Sequence, residues 1–516
     1  MNAYILAHDL GTSGNKATLY DLEGRLCAGV VHEYPTYYSG ANQVEQDAEL
    51  WWKAVCVCTR QLIDKAAIAG SSIACVSFSG QMMGCLPVDS SGNPLRRSII
   101  WADQRAVKQA AFIEKNVGME KAYRITGHRI SPSYSAAKIL WIKDNEPDLF
   151  KKTNKILHAK DYIVLKLTGC LATDYSDASG MNLYDIEKKQ WSDEILRAIA
   201  IDKRILPDAY PSTHICGKVH RSAAAATGLT EGTPVVLGGG DGSCATVGAG
   251  VVRQGKTYIV IGSSSWISLA ASRPLFDPLM RTFNWIHCDE RLYSPCGTMQ
   301  TAGYALQWMK NTLCSGEVAA AQALQVSPYK LIDEAINTSK PGANNLLFLP
   351  YLLGERSPRW NPEARAAFIG LKMTNTKGDI YRSVLEGVGY NLKLILDIFQ
   401  TQLPVNEVIA IGGGAKAAVW LQILADIWQK KIAIPRYLEE ATSMGAAVCG
   451  GCAIGAFGDF SVIEHFNAVI RTVAPRPETA PLYQKLFTIF DKSYAALTEI
   501  YSDLAGLDAA GESTGL

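Results

Sequence analysis

Two short loops of glycine and hydroxyl residues, each caught between apolar β-strand patterns, constrain this chain more than any other feature. Near the amino terminus, Tyr4 to His8 is apolar, Asp9-Leu10-Gly11-Thr12-Ser13-Gly14 interrupts it, and Lys16 to Tyr20 resumes it before the turn Asp21-Leu22-Glu23-Gly24. In the second half, the β-branched run Thr257 to Ile261 meets Gly262-Ser263-Ser264-Ser265 and continues from Trp266 to Leu269. Glycines let backbone N–H groups converge on one point and Thr or Ser hydroxyls add donors, so such loops can hold phosphate oxygens. Each alone is equally an ordinary hairpin turn. Their echo points to two related halves that grip a triphosphate between them.

A chain of 516 residues holds about two to four domains by the usual domain size. Asp47 can cap a helix whose Leu50, Trp51, Ala54, Val55 and Cys58 recur at helical spacing, and Ile73 to Phe78 returns as a buried strand, so the pattern is mixed α/β. No low-complexity linker divides the chain. The pattern breaks near Gly248 to Gly255, giving domains 1–250 and 251–516. Lys and Arg number 50 against 49 Asp and Glu, which leaves no field to draw the chain to nucleic acid or an anionic membrane. Met1 to Leu10 lacks a basic leader, and the Gly/Ala-rich stretch Met444 to Gly458 is too short for a bilayer. Thirteen scattered cysteines, an odd number, suit reduced thiols and a cytoplasmic setting.

Other motifs carry chemistry only in context. Gly238-Gly239-Gly240-Asp241-Gly242-Ser243 follows the apolar run Pro234 to Leu237 and surrounds one acid with residues that take no space. Such an acid can take a hydroxyl proton as the oxygen attacks phosphorus, or merely cap the next helix. Asp9, at a strand end beside a phosphate loop, could face the cation that accompanies phosphates. Gly412-Gly413-Gly414-Ala415 lies between strand Val408 to Ile411 and a helix through Trp420 to Trp428, but lacks dinucleotide spacing because position 417 is Ala417. Gly250 to Thr257 spells a P-loop, yet Thr257 to Ile261 continues as a strand where a P-loop must open a helix, so the match is rejected. Cys449-Gly450-Gly451-Cys452 has no second pair at zinc spacing and reads as close helix packing, and Ser135-Ala136-Ala137-Lys138 lacks the companions of an acylating serine.

In this order the loops resemble the FGGY carbohydrate kinases, of the actin, hexokinase and Hsp70 ATPase superfamily, and within them the xylulokinase branch. Two longer stretches carry the resemblance: Ser133 to Trp141 continuing to Asn145, and Ala366 to Leu371 followed by Asp379-Ile380 and Ser383 to Glu386. Tyr351 to Pro358 resembles the segment that precedes the second. The resemblance implies a two-lobed actin/hexokinase-like (ribonuclease H-like) α/β fold with duplicated mixed sheets and ATP in an interlobe cleft. It implies Asp241 as catalytic base and Asp9 as the acid that handles Mg2+. It implies Gly11, Thr12 and Ser13 as the first phosphate loop and Gly262, Ser263 and Ser264 as the second. Gly303 and Gln307 would face the nucleotide, and Gly413, Gly414 and Ala415 would form the adenosine turn. The sugar would meet Gln81, Met82, Met83 and Asp103, together with Asp241. The implied partners are a sugar, ATP and ADP, with a homodimer as the common assembly among such kinases.

The implied reaction is transfer of the γ-phosphoryl group to a primary hydroxyl of a pentulose such as xylulose. Departures fall on the sugar side: Met83 stands where the xylulokinase pattern has His, and Gly242 where it often has Asn. A site that loses polar partners loses discrimination among hydroxyls, and Trp101-Ala102-Asp103 and Pro358 to Pro362 look more like the gluconate kinases. Gluconate or another aldonate or polyol is therefore the alternative acceptor. Ala418, where some relatives carry Asn, leaves the choice of base open. A non-catalytic, nucleotide-controlled protein of the actin or Hsp70 kind is the reading outside the class.

Overall fold

The computed structural model describes residues 3–40 and 42–514. It divides into two compact units, Met1–Gln254 with Leu269–Pro295 and Glu440–Ala468, and Gly255–Ser268 with Cys296–Glu439 and Val469–Leu516. The first change of unit falls inside the expected Gly248 to Gly255 break. Leu269–Pro295 and Glu440–Ala468 then return to the first unit, an exchange that a single boundary at residue 250 does not describe.

In the first unit, strand Tyr4–Leu10 sits in the middle of the sheet, where burial of Ile5, Leu6, Ala7 and His8 on both faces matches its unbroken apolar run. It pairs antiparallel with Gly14–Asp21, which pairs antiparallel with Leu26–Glu33, so the expected three-stranded meander forms. On its other side it pairs parallel with Ile73–Gly80, beyond which lie Pro234–Val236, parallel, and Ile215–Lys218, antiparallel. Helix Ala48–Lys65 begins at Asp47, whose side chain accepts from the Glu49 N–H, and buries Trp51, Ala54, Val55, Cys58 and Leu62 on one stripe against this sheet.

The second unit repeats the plan. Its strands include, in order, Ser265–Leu269, Thr257–Ile261, Glu407–Ile411, Lys431–Pro435 and Val469–Val473. Thr257–Ile261, Glu407–Ile411 and Lys431–Pro435 run parallel, and Val469–Val473 closes the edge antiparallel. Position for position, the Gly11 and Gly262 turns occupy the same place in the two sheets, and the rejected P-loop ends in the central strand Thr257–Ile261. Helix Ala441–Ala453 accounts for the Gly/Ala-rich stretch. It packs on helix Asp241–Gly248 so closely that a Cβ at Gly445 would stand 2.0 Å from the Cys244 carbonyl oxygen. Among the described residues no helix is long and apolar enough to cross a membrane.

Candidate active site

Strand register decides which acids meet. Asp9 pairs with Ser79 and Leu10 with Gly80 on one side of Ile73–Gly80, while Gly239 and Gly240 pair with Ser79 and Gly80 on the other. Asp9 and Asp241 therefore leave the sheet at one end, separated by a single strand. The Ser79 hydroxyl donates to Asp9 Oδ1 at 2.9 Å, and the Gly242 N–H donates to Asp241 Oδ1 at 2.7 Å. Asp241 is the first residue of helix Asp241–Gly248, with Gly240 in the capping position, so its side chain does not cap the helix.

Both acids are only partly exposed. Burial pushes Asp9 up to about 6 against the opposing Ser79 bond. Burial, then the neighbouring charge of Asp9, pushes Asp241 up to about 7. Behind them lies a fully buried charge cluster in which Lys160 Nζ lies 2.7 Å from Asp161, 2.9 Å from Asp174 and 3.3 Å from Asp177. Two carboxylates at one end of the sheet, one raising the other's proton affinity, offer hard oxygen donors, which fit Mg2+ rather than a sulfur- or nitrogen-seeking metal.

The residues expected to meet phosphate and sugar are tied together by a side chain that the sequence reading did not single out. Gln46 Nε2 donates to the Thr12 carbonyl at 2.5 Å and to Thr36 Oγ1 at 2.8 Å, while Gln46 Oε1 accepts from Trp51 Nε1 at 3.0 Å and Gln81 Nε2 at 2.7 Å. Trp101 Nε1 donates to Thr12 Oγ1 at 2.9 Å. One network thus joins the first glycine loop to both expected sugar segments. Gln81 Oε1, buried, has no hydrogen-bond partner among the described residues, an acceptor that a substrate hydroxyl would satisfy. Replacing Gln46 by Leu should lower kcat/KM roughly 10- to 100-fold, the cost of orphaning one or two buried polar groups. Steady-state kinetics showing less than a twofold change would deny the network a role.

Lys138, named above only in the rejected acylating-serine match, is a second tie of this kind. Fully buried, it donates from Nζ to the carbonyls of Met83 at 2.8 Å, Ile100 at 2.7 Å and Ser133 at 2.6 Å. Burial pushes its pKa down to about 7. Met83, at φ 61°, is held by that bond, and Met82 packs against Gly240, next to Asp241. Asp103 is wholly buried, and its oxygens accept from the Val44 N–H at 2.6 Å and from Arg105 Nε and Nη2 at 2.9 and 2.7 Å. In this structure Asp103 holds Arg105 and the loop.

In the second unit, Gly262, Ser263, Gly303, Gln307, Gly413 and Gly414 line one cavity of about 590 Å³, of a size suited to a nucleoside. Ser264 and Ala415 stand outside that lining: the Ser264 carbonyl accepts from the Gly262 N–H, and Ala415 is buried behind the turn. The start of helix Gly303–Leu313 braces the loop, with Gly303 N–H donating to the Gly262 carbonyl at 2.9 Å and Tyr304 N–H to the Ser263 carbonyl at 3.0 Å. A Cβ at Gly303 would stand 2.4 Å from the Gly262 oxygen. Gly303→Ala should therefore displace the loop and weaken ATP binding about tenfold or more, within the usual cost of overpacking. Calorimetric titration with ATP reads this directly, and wild-type affinity would refute it. The cavity wall also holds Trp420, whose buried indole N–H has no partner among the described residues, and Asp333, pushed up to about 6 by burial. Neither stood out in the sequence, because helical apolar spacing conceals a cavity wall.

Comparison with known proteins identifies the family. The model of the FGGY family of carbohydrate kinases matches its N-terminal domain to residues 4–248 and its C-terminal domain to residues 257–454. The xylulose kinase of Bacillus subtilis (strain 168) is 31% identical over 503 residues, covering 97% of this chain and 98% of its own. The gluconokinase of Bacillus licheniformis is 31% identical over 507 residues, covering 98% of each. Among solved structures, ligand-bound xylulose kinase from Lactobacillus acidophilus superposes with a TM-score of 0.90 at 28% identity, covering 97% of this chain and 100% of its own. Gluconate kinase from the same organism gives 0.91 at 28% identity, covering 98% and 100%. With both domain models matched in order and relatives aligned end to end, the chain belongs to the FGGY family of carbohydrate kinases, enzymes that phosphorylate sugars and related compounds.

Proposed function

We propose that this kinase transfers the γ-phosphoryl group of ATP to a primary hydroxyl of a neutral pentulose, with xylulose as the acceptor. The observation that carries the reading is the disposition of charge around Asp241. The acid ends a strand register shared with Asp9, reaches solvent, and has its proton affinity raised to where it can take a hydroxyl proton near neutral pH. Gln81 Oε1 supplies an unmet acceptor for a sugar hydroxyl, and Met82 and Met83 supply an apolar face. Asp9 would hold Mg2+, whose charge offsets that of the phosphate oxygens. The Gly11, Thr12 and Ser13 loop and the Gly262 and Ser263 loop would hold the phosphates, with the adenosine in the Gly413 and Gly414 cavity.

Charge also separates the two acceptors that the relatives' names suggest. A gluconate carboxylate, at the far end of the molecule from the primary hydroxyl that meets Asp241, needs an uncommitted cation among the expected sugar segments. Lys138 is consumed by three carbonyls, and Arg105 by Asp103 and Glu45. A neutral ketose makes no such demand.

Because Asp241 must be ionised to accept a proton, and its pKa is raised, activity is present above that value and lost as pH falls through it. kcat/KM for xylulose-dependent ADP formation should drop below about pH 7, by tenfold per unit well on the acid side. A profile flat to pH 5 would remove Asp241 from the proton transfer, and faster ADP formation with gluconate than with xylulose would overturn the neutral-sugar reading.

A further inference from the structure

Three cysteines that the kinase chemistry does not use converge behind the helix that carries Asp241. Cys244 lies one turn along that helix, Cys449 on helix Ala441–Ala453, and Cys288 just beyond strand Phe283–Ile286. All three are buried, Cys244 Sγ and Cys288 Sγ are 3.9 Å apart, and the three sulfurs lie within 4.8 Å of one another. The C-x-x-C spelling at Cys449 thus finds its partners across the fold rather than in Cys452. The sulfurs pack tightly against Gly239, where a Cβ would come within 2.8 Å of Cys288 Sγ and 3.3 Å of Cys244 Sγ. Cys288 also stands in the wall of a cavity. That cavity, of about 290 Å³, is lined by Cys288 and Cys452, with Asp289, Glu290 and Asp459 on its wall. Those three acids face one cation, Arg291, which is paired with Asp289 at 2.7 Å, so the entrance favours cations.

We propose that Cys244, Cys288 and Cys449 form a binding site for a thiophilic d10 metal ion, Cu+ above all, entered through the acidic cavity beside Cys288. Metal–thiolate bonds of about 2.3 Å set the sulfurs of a trigonal site about 4.0 Å apart, so the observed spacing needs a contraction of under about 1 Å. Three sulfurs with no fourth His, Cys, Asp or Glu ligand in the cluster among the described residues suit three-coordinate Cu+ better than Zn2+, which takes four ligands in structural sites. Binding forms three metal–sulfur bonds and releases the thiol protons to solvent, with no change of oxidation state.

Anaerobic titration of the full chain with Cu+ against a chromophoric Cu+ chelator tests the site independently of any sugar chemistry. The wild type should retain one Cu+ per chain. Cys288→Ala and Cys449→Ala should each weaken retention at least about 100-fold, the upper end of what loss of a mere supporting contact costs. Cys452→Ala, altering only the cavity wall, should bind as wild type. Circular dichroism identifies any variant that fails to fold, in which case the corresponding Ser replacement takes its place. Absence of a retained ion in the wild type, retention unchanged in both Cys288→Ala and Cys449→Ala, or tighter retention of Zn2+ than of Cu+ would overturn the proposal.

Discussion

Asp241→Asn should reduce turnover with xylulose by roughly 10² to 10⁴-fold while leaving sugar affinity within a few-fold of wild type. The amide keeps the size of the side chain and can still accept the Gly242 N–H bond through its oxygen. It cannot take the hydroxyl proton, nor keep the negative charge that polarises the acceptor. The asymmetry between kcat and sugar binding is the informative part, because an interaction made mainly in the transition state lowers kcat without a matching rise in KM. The acid limb near pH 7 should also vanish from the residual activity. Near-normal turnover would show that Asp241 only opens its helix and does no chemistry.

Lys138→Met should have the second large effect, on stability and sugar affinity together. Methionine fills most of the same volume but leaves the carbonyls of Met83, Ile100 and Ser133 without their donor. One orphaned buried carbonyl costs about 1–3 kcal/mol, and some of the total is returned because the ammonium no longer has to be desolvated. A net loss of about 3 kcal/mol is expected, with sugar KM raised roughly 100-fold as the Met83 and Trp101 loops loosen. Lys138→Arg should not rescue either property, since a planar guanidinium cannot point donors at three carbonyls clustered around an ammonium in a fully buried space. Thermal unfolding and sugar titration of both variants check this. A stable Lys138→Met enzyme with unchanged KM would show that these loops hold themselves.

Much of this arrangement was legible in the sequence because it rests on local rules. The unbroken apolar run before Asp9 marks a central strand, Asp47 opens its helix, and the strand character of Thr257 to Ile261 excludes the P-loop. The repeated glycine turns indicated a duplicated plan, which the matching strand orders of the two sheets bear out. What stayed hidden depends on partners far away in the chain. Gln46 matters through Thr12 and Gln81, residues 34 and 35 positions away. Lys138 matters through backbone carbonyls, which leave no mark in any side-chain pattern. The return of Glu440–Ala468 to the first unit follows from small residues that let helix Ala441–Ala453 approach helix Asp241–Gly248. A Gly/Ala-rich stretch announces close packing without naming what it packs on. Asp103 shows the converse case: its place in an expected sugar segment came from the resemblance, while its engagement with Arg105 and Val44 required coordinates.

The most direct test of the account is phosphorus-31 NMR of the products formed from ATP, Mg2+ and xylulose by the wild-type enzyme. The account predicts one phosphomonoester, on a primary carbon of the sugar, appearing in equal amount with ADP and absent when Asp241 is replaced by Asn. Inorganic phosphate in step with ADP, at a rate indifferent to the sugar, would contradict it.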